Sequence, residues 1–192
     1  MLFEDKIIEI INVLENHGVI LIPGDTSWSM ACSSKSEFGY RKIRSIVNIH
    51  PEFFLCTDSI RMLKKYAPLL HPRIETLLCF YERPINIVES NHKNVPQHLI
   101  DNSTQEINLS LSKDEFLRKV IELLGEPLVL VNASITDEML TKSYAELPSV
   151  LKDNADYICK HRRNETIATE MVSIKYDYNG MLVMDGEDSI AS

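Results

Sequence analysis

The 192-residue sequence predicts an α/β domain, a twisted mixed sheet flanked by helices. Three observations carry that expectation. Short apolar runs of strand length alternate with amphipathic segments of helical length, as crossover connections require. Near the carboxyl end, MVSIKYDYNGMLVM sets Asn179-Gly180 between two apolar runs; both residues tolerate positive φ, so a tight antiparallel hairpin is expected there. A hydrophobic content of 44% in a chain of this length is enough for one substantial core without disulfide or metal. No repeat, low-complexity tract or linker divides the chain, so residues 1–192 are read as a single domain.

The elements follow in order. DKIIEIINVLENHG places Ile7, Ile10, Ile11 and Leu14 on one helical side, with Gly18 available to end the helix. VILIP is a short buried strand whose propagation stops at Pro23. Ser34 and Glu37 have capping-box spacing, so the next helix is expected to start at SKSE and to turn Phe38, Ile43, Ile46 and Val47 toward the core. FFLC is a second strand, followed by helices over DSIRMLKKYA and PRIETLLCFY, with Pro72 suited to the first position of the latter. PINIVE is a strand at 84–89, and the polar stretch 90–105 has no strong period. INLSL alternates by two, Ser112 and Glu115 offer a second capping box, and the helix they start is expected to end near Gly125. LVLV is a further buried strand leading into NASITD, and ADYIC is a short strand candidate. No Gly-x-Gly-x-x-Gly follows the first strand, which argues against a simple doubly wound dinucleotide fold.

Composition narrows the function classes. Twenty Lys and Arg against 28 Asp and Glu give a net charge of −8, unfavourable for a broad phosphate-binding surface. Cys32, Cys56, Cys79 and Cys159 have no paired metal-binding spacing and read as reduced thiols. The histidines form no compact set with Cys or carboxylates, and no metal site is expected. No nucleophile elbow or triad signature occurs, and no residue is singled out as catalytic. The acidic amino end does not resemble a cationic signal segment and no apolar run spans a bilayer, so a cytoplasmic protein without membrane contact is expected.

Two strand ends carry polar patches. Asp25, Thr26, Ser27, Trp28 and Ser29 follow VILIP; Asn132, Ala133, Ser134 and Thr136 follow LVLV. Either patch alone could close a turn or cap a helix, but together they suggest one crevice, since open α/β sheets bind small ligands at strand ends. Trp28 is either a ring wall of that crevice or a core filler. Asp25 could receive an amino group or accept backbone hydrogen bonds from the turn. Arg44, one helical turn before Val47, could supply positive charge, or could belong to a solvated helix face; Arg83 and Arg162-Arg163 are further basic candidates.

The order and spacing of GVILIPGDTSWSMAC, FYERPINIV, INLSL, GEPLVLVNASITD and ATEMVS resemble the YrdC-like family, which includes the threonylcarbamoyl-adenylate synthases. The resemblance runs from about residue 7 to about residue 184. Familiar members carry Pro-Thr-Asp-Thr-Val-Tyr-Gly-Leu; Pro23, Asp25 and Thr26 match it, with Trp28 at the Tyr position. Asn132 and Ser134 occupy the Ser and Asn positions of a Ser-Ala-Asn segment, and Ala168-Thr169 replaces a Ser-Thr pair. In Pro-Gly-Pro-x-Thr, Pro84 survives and Asn86 replaces the Thr. A Lys-x-Arg pair falls on Val47 and Ile49, and a phosphate-directed Arg falls on Ser110.

The resemblance implies a YrdC-like α/β domain and ligand contacts at Asp25, Thr26, Trp28, Arg44, Asn86, Ser110, Asn132, Ser134 and Thr169. Active relatives condense threonine, bicarbonate and ATP into threonylcarbamoyl-adenylate and pyrophosphate, usually with magnesium. ATP and magnesium are therefore the cofactors implied if that chemistry is retained. A nucleotide, threonine or another small ligand is the implied partner, along with tRNA-modification proteins or structured RNA. Losing aligned cations removes charge-assisted phosphate contacts, so the expectation is a small-molecule or nucleotide-binding protein with degenerate or altered synthase chemistry. The alternative is a noncatalytic protein that binds double-stranded RNA or another protein; whether the chain is an enzyme stays open.

Overall fold

The computed structural model describes residues 2–47, 52–100, 104–134, 141–159, 171–176 and 182–185. Among the described residues, nine strands form one mixed sheet: β1 (Ile20–Pro23), β2 (Trp28–Ser33), β3 (Phe53–Thr57), β4 (Ile85–Glu89), β5 (Ile107–Leu111), β6 (Leu128–Asn132), β7 (Tyr157–Ile158), β8 (Val172–Tyr176) and β9 (Leu182–Asp185). Six α-helices accompany them among the described residues: α1 (Leu2–Glu15), α2 (Glu37–Ile46), α3 (Ile60–Tyr66), α4 (Pro72–Phe80), α5 (Glu115–Leu124) and α6 (Ser149–Asn154). The spatial order is β7-β1-β2-β6-β3-β5-β4-β8-β9. Parallel pairs β1/β7, β3/β5 and β4/β8 sit among antiparallel pairs β1/β2, β2/β6, β3/β6, β4/β5 and β8/β9. The expected mixed sheet is present.

Period-two alternation sorts the strand residues onto two faces. Leu21, Met30, Leu55, Ile87, Leu109 and Val129 form one core with Tyr40, Ile43 and Val47 around α2 and with Ile74 and Leu78 of α4. Ile20, Ile22, Ala31, Cys56 and Leu128 form the other with Ile7, Ile10 and Leu14 of α1 and with Phe116, Leu117, Val120 and Ile121 of α5. Four buried side chains on one stripe of α5 contribute roughly 6–12 kcal/mol of gross burial before the entropy of ordering them.

Several local expectations are corrected. WSMACS, not anticipated as a strand, is β2; Gly24–Ser27 is therefore a hairpin turn, closed by the Gly24 N–H donating to the Ser27 carbonyl at 2.8 Å. The first connection is thus a hairpin and not a crossover. Past α1 the left-handed residue is His17, at φ 62°. Gly18 is needed for space instead, since a Cβ there would lie 2.5 Å from Val13 Cγ1 and 2.8 Å from the Val13 carbonyl oxygen. The α2 cap is Ser36, whose Oγ accepts from the Gly39 N–H, and the α5 cap is Asp114, accepting from the Leu117 N–H. Each lies two residues beyond the expected cap. Phe38 is 69% exposed, and Tyr40 takes the core position. Gly125, at φ 75°, ends α5 as expected. The strands flanking Asn179-Gly180 pair antiparallel, while the turn itself lies outside the described residues.

Candidate functional site

The register of the sheet brings the two polar strand ends together. β2 and β6 run antiparallel with Ser29 opposite Asn132, so the β1–β2 turn and the end of β6 adjoin. The Ser27 hydroxyl donates to Asn132 Oδ1 at 3.0 Å, and the Ala133 N–H donates to the Trp28 carbonyl at 2.8 Å. Between them lies a small crevice of about 20 Å³, partly open to solvent, lined by Gly24, Asp25, Thr26, Ser29, Phe54, Ser110, Leu130, Asn132 and Met171. Its polar groups are hydroxyls, an amide and one carboxylate. Phe54 and Leu130, opposite each other on β3 and β6, add an apolar surface.

Asp25 is 7% exposed and tied to the start of α5. Its Oδ1 accepts from the backbone N–H groups of Lys113 at 3.0 Å and Asp114 at 2.9 Å, and from the Ser112 hydroxyl at 3.2 Å. Open amides and the dipole at a helix start favour an anion, and this carboxylate takes that place. The resulting clamp joins the hairpin turn to a segment almost ninety residues away. The Lys113 ammonium does not join it; its Nζ donates to the Leu78 carbonyl at 2.6 Å. Burial pulls the Lys113 pKa below its ordinary value, with Asp25 opposing that shift.

The other expected ligand residues divide. Asp25, Thr26, Ser110 and Asn132 line the crevice. Asn86 stands opposite Ser110 on the neighbouring strand and shares its face, 1% exposed. Trp28 is corrected as a ring wall: alternation turns it to the opposite face, 2% exposed in the core, edge-on to Tyr144 at 5.8 Å between centroids. Arg44 is also corrected. It is exposed on α2 with its guanidinium 5.9 Å from the Tyr40 ring centroid, away from the crevice lining. Ser134 donates its N–H to the Asn132 carbonyl at 2.8 Å and stays outside the lining. Thr136, Arg162, Arg163 and Thr169 lie outside the described residues. Sequence reasoning missed Phe54 and Leu130 as lining residues; the signal was alternation within FFLC and LVLV, which sends neighbouring residues to opposite faces.

The Sua5/YciO/YrdC family model, described as "Telomere recombination", matches residues 12–180. The chain belongs to this family. No curated protein matches it. Among solved structures similar to the chain, P. abyssi Sua5 complexed with L-threonine is 17% identical with a TM-score of 0.80, over 93% of this chain and 53% of that one. E. coli YciO is 17% identical with a TM-score of 0.76, over 97% of this chain and 91% of that one. A full-length HypF in a phosphate- and nucleotide-bound form is 16% identical with a TM-score of 0.77, over 93% of this chain and 28% of that one. The chain thus spans about half the length of the Sua5 structure and nearly all of YciO. At these identities the likeness establishes the fold.

Within the family frame, the positions where phosphate-directed cations are expected carry neutral residues of different fates. Val47 is 3% exposed in the core beside α2, and Ser110 lines the crevice. Among the described residues no Lys or Arg lines the crevice, and no group of three His, Cys, Asp or Glu could hold a metal ion. Asp25 Oδ1 is already engaged by three donors. The described donor set does not fit a magnesium-bound triphosphate, which needs cations and ligand oxygens at the phosphates. No helix among the described residues is long and apolar enough to cross a membrane.

Proposed function

We propose that this chain is a YrdC-like small-ligand-binding protein, acting in the cytoplasm, in which threonylcarbamoyl-adenylate synthesis is lost or altered. One observation carries the reading: a crevice at the joined strand ends keeps its hydroxyl, amide and carboxylate groups, while Ser110 stands where a phosphate-directed Arg is expected and no described lining residue is cationic. Adenylation places growing negative charge on the pyrophosphate leaving group, and fixed positive groups are the main means of stabilising it. The Sua5 structure with threonine and the HypF structure with nucleotide support a small ligand as the occupant, though not its identity.

The test is pyrophosphate release from ATP in the presence of threonine, bicarbonate and magnesium. Release at the no-enzyme background is expected. Sustained turnover comparable to an active synthase assayed alongside would refute the proposal. The RNA-binding alternative requires salt-sensitive duplex binding. A net charge of −8 opposes it, and the open crevice favours the small ligand.

A further inference from the structure

We infer that Met171 gates the crevice: its side chain holds the crevice shut in the ligand-free chain and must swing toward solvent before a small ligand enters. This rests on the preceding reading that the crevice takes a small ligand, and it adds how that site is closed and opened.

The volume sets the problem. About 20 Å³ is room for one water molecule. Pockets that enclose small organic ligands measure about 300–1,000 Å³. A ligand crevice of this size is in a closed state, and part of its lining has to move.

Most of the lining is fixed. Gly24 is held in the hairpin turn through its N–H, and Asp25 is held by three donors at the start of α5. Ser29, Ser110 and Asn132 lie within paired strands, and Asn132 also accepts from the Ser27 hydroxyl. Thr26, like the serines, is too short for its rotation to open much space. Phe54 and Leu130 stand opposite each other on β3 and β6 and pack in or against the second core, where turning either side chain out would leave a void.

Met171 differs on each count. It is half-buried, it lies one residue before β8 begins its pairing at Val172, and neither apolar core of the described residues includes it. The backbone behind it is anchored, since the Val172 N–H donates to the Pro84 carbonyl at 3.0 Å. Alternation places Met171 on the face of Ser173, which stands opposite Asn86, itself opposite Ser110. A fixed hinge thus carries an unbranched side chain with three rotatable bonds and a thioether that favours an aromatic neighbour; Phe54 is the aromatic in the same lining. Turning it outward bares Phe54 and Leu130 beside the Asn132 amide and the Thr26 and Ser29 hydroxyls, and breaks no strand pairing. The gate is a population shift: the closed form predominates, and ligand affinity is reduced by the fraction that is open.

Two measurements on the full chain test it. In the first, methionine methyl groups are labelled with carbon-13 and Met171 is assigned through Met171→Leu. Nuclear Overhauser contacts from the Met171 methyl to the Phe54 ring are expected in the ligand-free chain; a Met171 methyl with the shift of an exposed methionine and no such contact would overturn the inference. The second is calorimetric titration of wild type, Met171→Ala and Met171→Leu with L-threonine, the ligand of the similar Sua5 structure. With about one chain in ten or fewer open, Met171→Ala is expected to bind at least about tenfold tighter than wild type. Met171→Leu keeps most of the bulk and is expected to stay near wild type. Equal affinity of wild type and Met171→Ala, Met171→Leu as tight as Met171→Ala, or no binding to any of the three would overturn the inference. Pyrophosphate turnover would overturn the preceding proposal; equal affinities in a chain without turnover would overturn this one alone.

Discussion

Asp25 is predicted to act first as a fold clamp, and its removal should be felt across the sheet. Truncation to alanine strips the acceptor from the N–H groups of Lys113 and Asp114 and from the Ser112 hydroxyl, which lie 2.9 to 3.2 Å from Oδ1. The Lys113 N–H is left unpaired at a cost of about 1–3 kcal/mol, while the Asp114 N–H loses its shorter bond, worth about 0.5–1.5 kcal/mol, and keeps a longer one to Ser112 Oγ at 3.2 Å. Losing a carboxylate from the first turn of α5 adds about 0.3–1 kcal/mol. The combined expectation for Asp25→Ala is a loss of about 2–5 kcal/mol, and at about 2–4 °C per kcal/mol for a chain of this size the Tm should fall by about 4–20 °C. Asp25→Asn keeps an amide oxygen able to accept from the same donors but loses their charge assistance, so about 1–2 kcal/mol is expected. Urea and thermal unfolding followed by circular dichroism measure both. Asp25→Ala within about 1 kcal/mol of wild type, or Asp25→Asn as damaging as alanine, would refute the clamp.

Gly18→Ala should destabilise the chain by about 1–3 kcal/mol, because its methyl group must displace Val13 side-chain and backbone atoms; an unchanged unfolding midpoint would contradict that. Burial pushes the Cys32 and Cys159 thiols up to about 12 and raises Cys56 further, while Cys79 is exposed. An aromatic disulfide reagent should therefore modify one thiol per native chain and four after unfolding, and fast labelling of a second thiol under native conditions would count against the packing. His98 packs on Tyr40 at 5.7 Å with its buried Nε2 unpartnered among the described residues; burial lowers its pKa below 6.5, aided by Arg41 and opposed by Glu37 and the Ser34 backbone. A folded pKa below the unfolded one means the unfolded chain binds the extra proton, so His98's stabilisation is complete above pH 6.5 and is lost as pH falls toward the folded value. Urea midpoints between pH 5 and 8 should fall toward acid, and His98→Gln should flatten that slope; an unaltered slope in the variant would refute the assignment.

Much of the fold was legible because its signals are local. VILIP, FFLC, INLSL and LVLV are buried runs of strand length, and all four are strands. β2 was hidden because it alternates Trp28, Met30 and Cys32 with Ser29, Ala31 and Ser33 while burying both sets, so the polar members resemble loop residues. The same parity decided the fate of Trp28. Its kinship to a family position suggested a ring wall, yet the hairpin register with Pro23 opposite Trp28 turns the indole to the core and leaves the crevice face to Ser29. The caps were displaced by two residues because Ser34 and Ser112 have tasks the sequence cannot display: the Ser34 N–H donates to the Pro127 carbonyl, and the Ser112 hydroxyl donates to Asp25. Asp25 itself read as a turn residue or ligand contact, since its donors are supplied by a loop distant in sequence. Adjacency of the 25–29 and 132–134 segments could be suspected from their likeness; the β2/β6 register supplies it.

On the proposed reading, the two faces of the sheet show how the scaffold can persist with neutral residues at Val47 and Ser110. A guanidinium at Ser110, where the present residue is 2% exposed, would need an anionic ligand or a carboxylate partner to offset its desolvation. Cations and phosphate are therefore linked: once the anionic ligand is no longer bound, each buried Arg becomes a cost, and a neutral residue is the more stable choice. Ser110 meets that demand, with its carbonyl accepting from Thr57 Oγ1 at 2.9 Å. The remaining charge in the lining, Asp25, is balanced by the amides at the start of α5 and needs no lining cation. The apolar cores on both faces, which include Val47 at an expected cation position, hold the sheet with the crevice empty or filled.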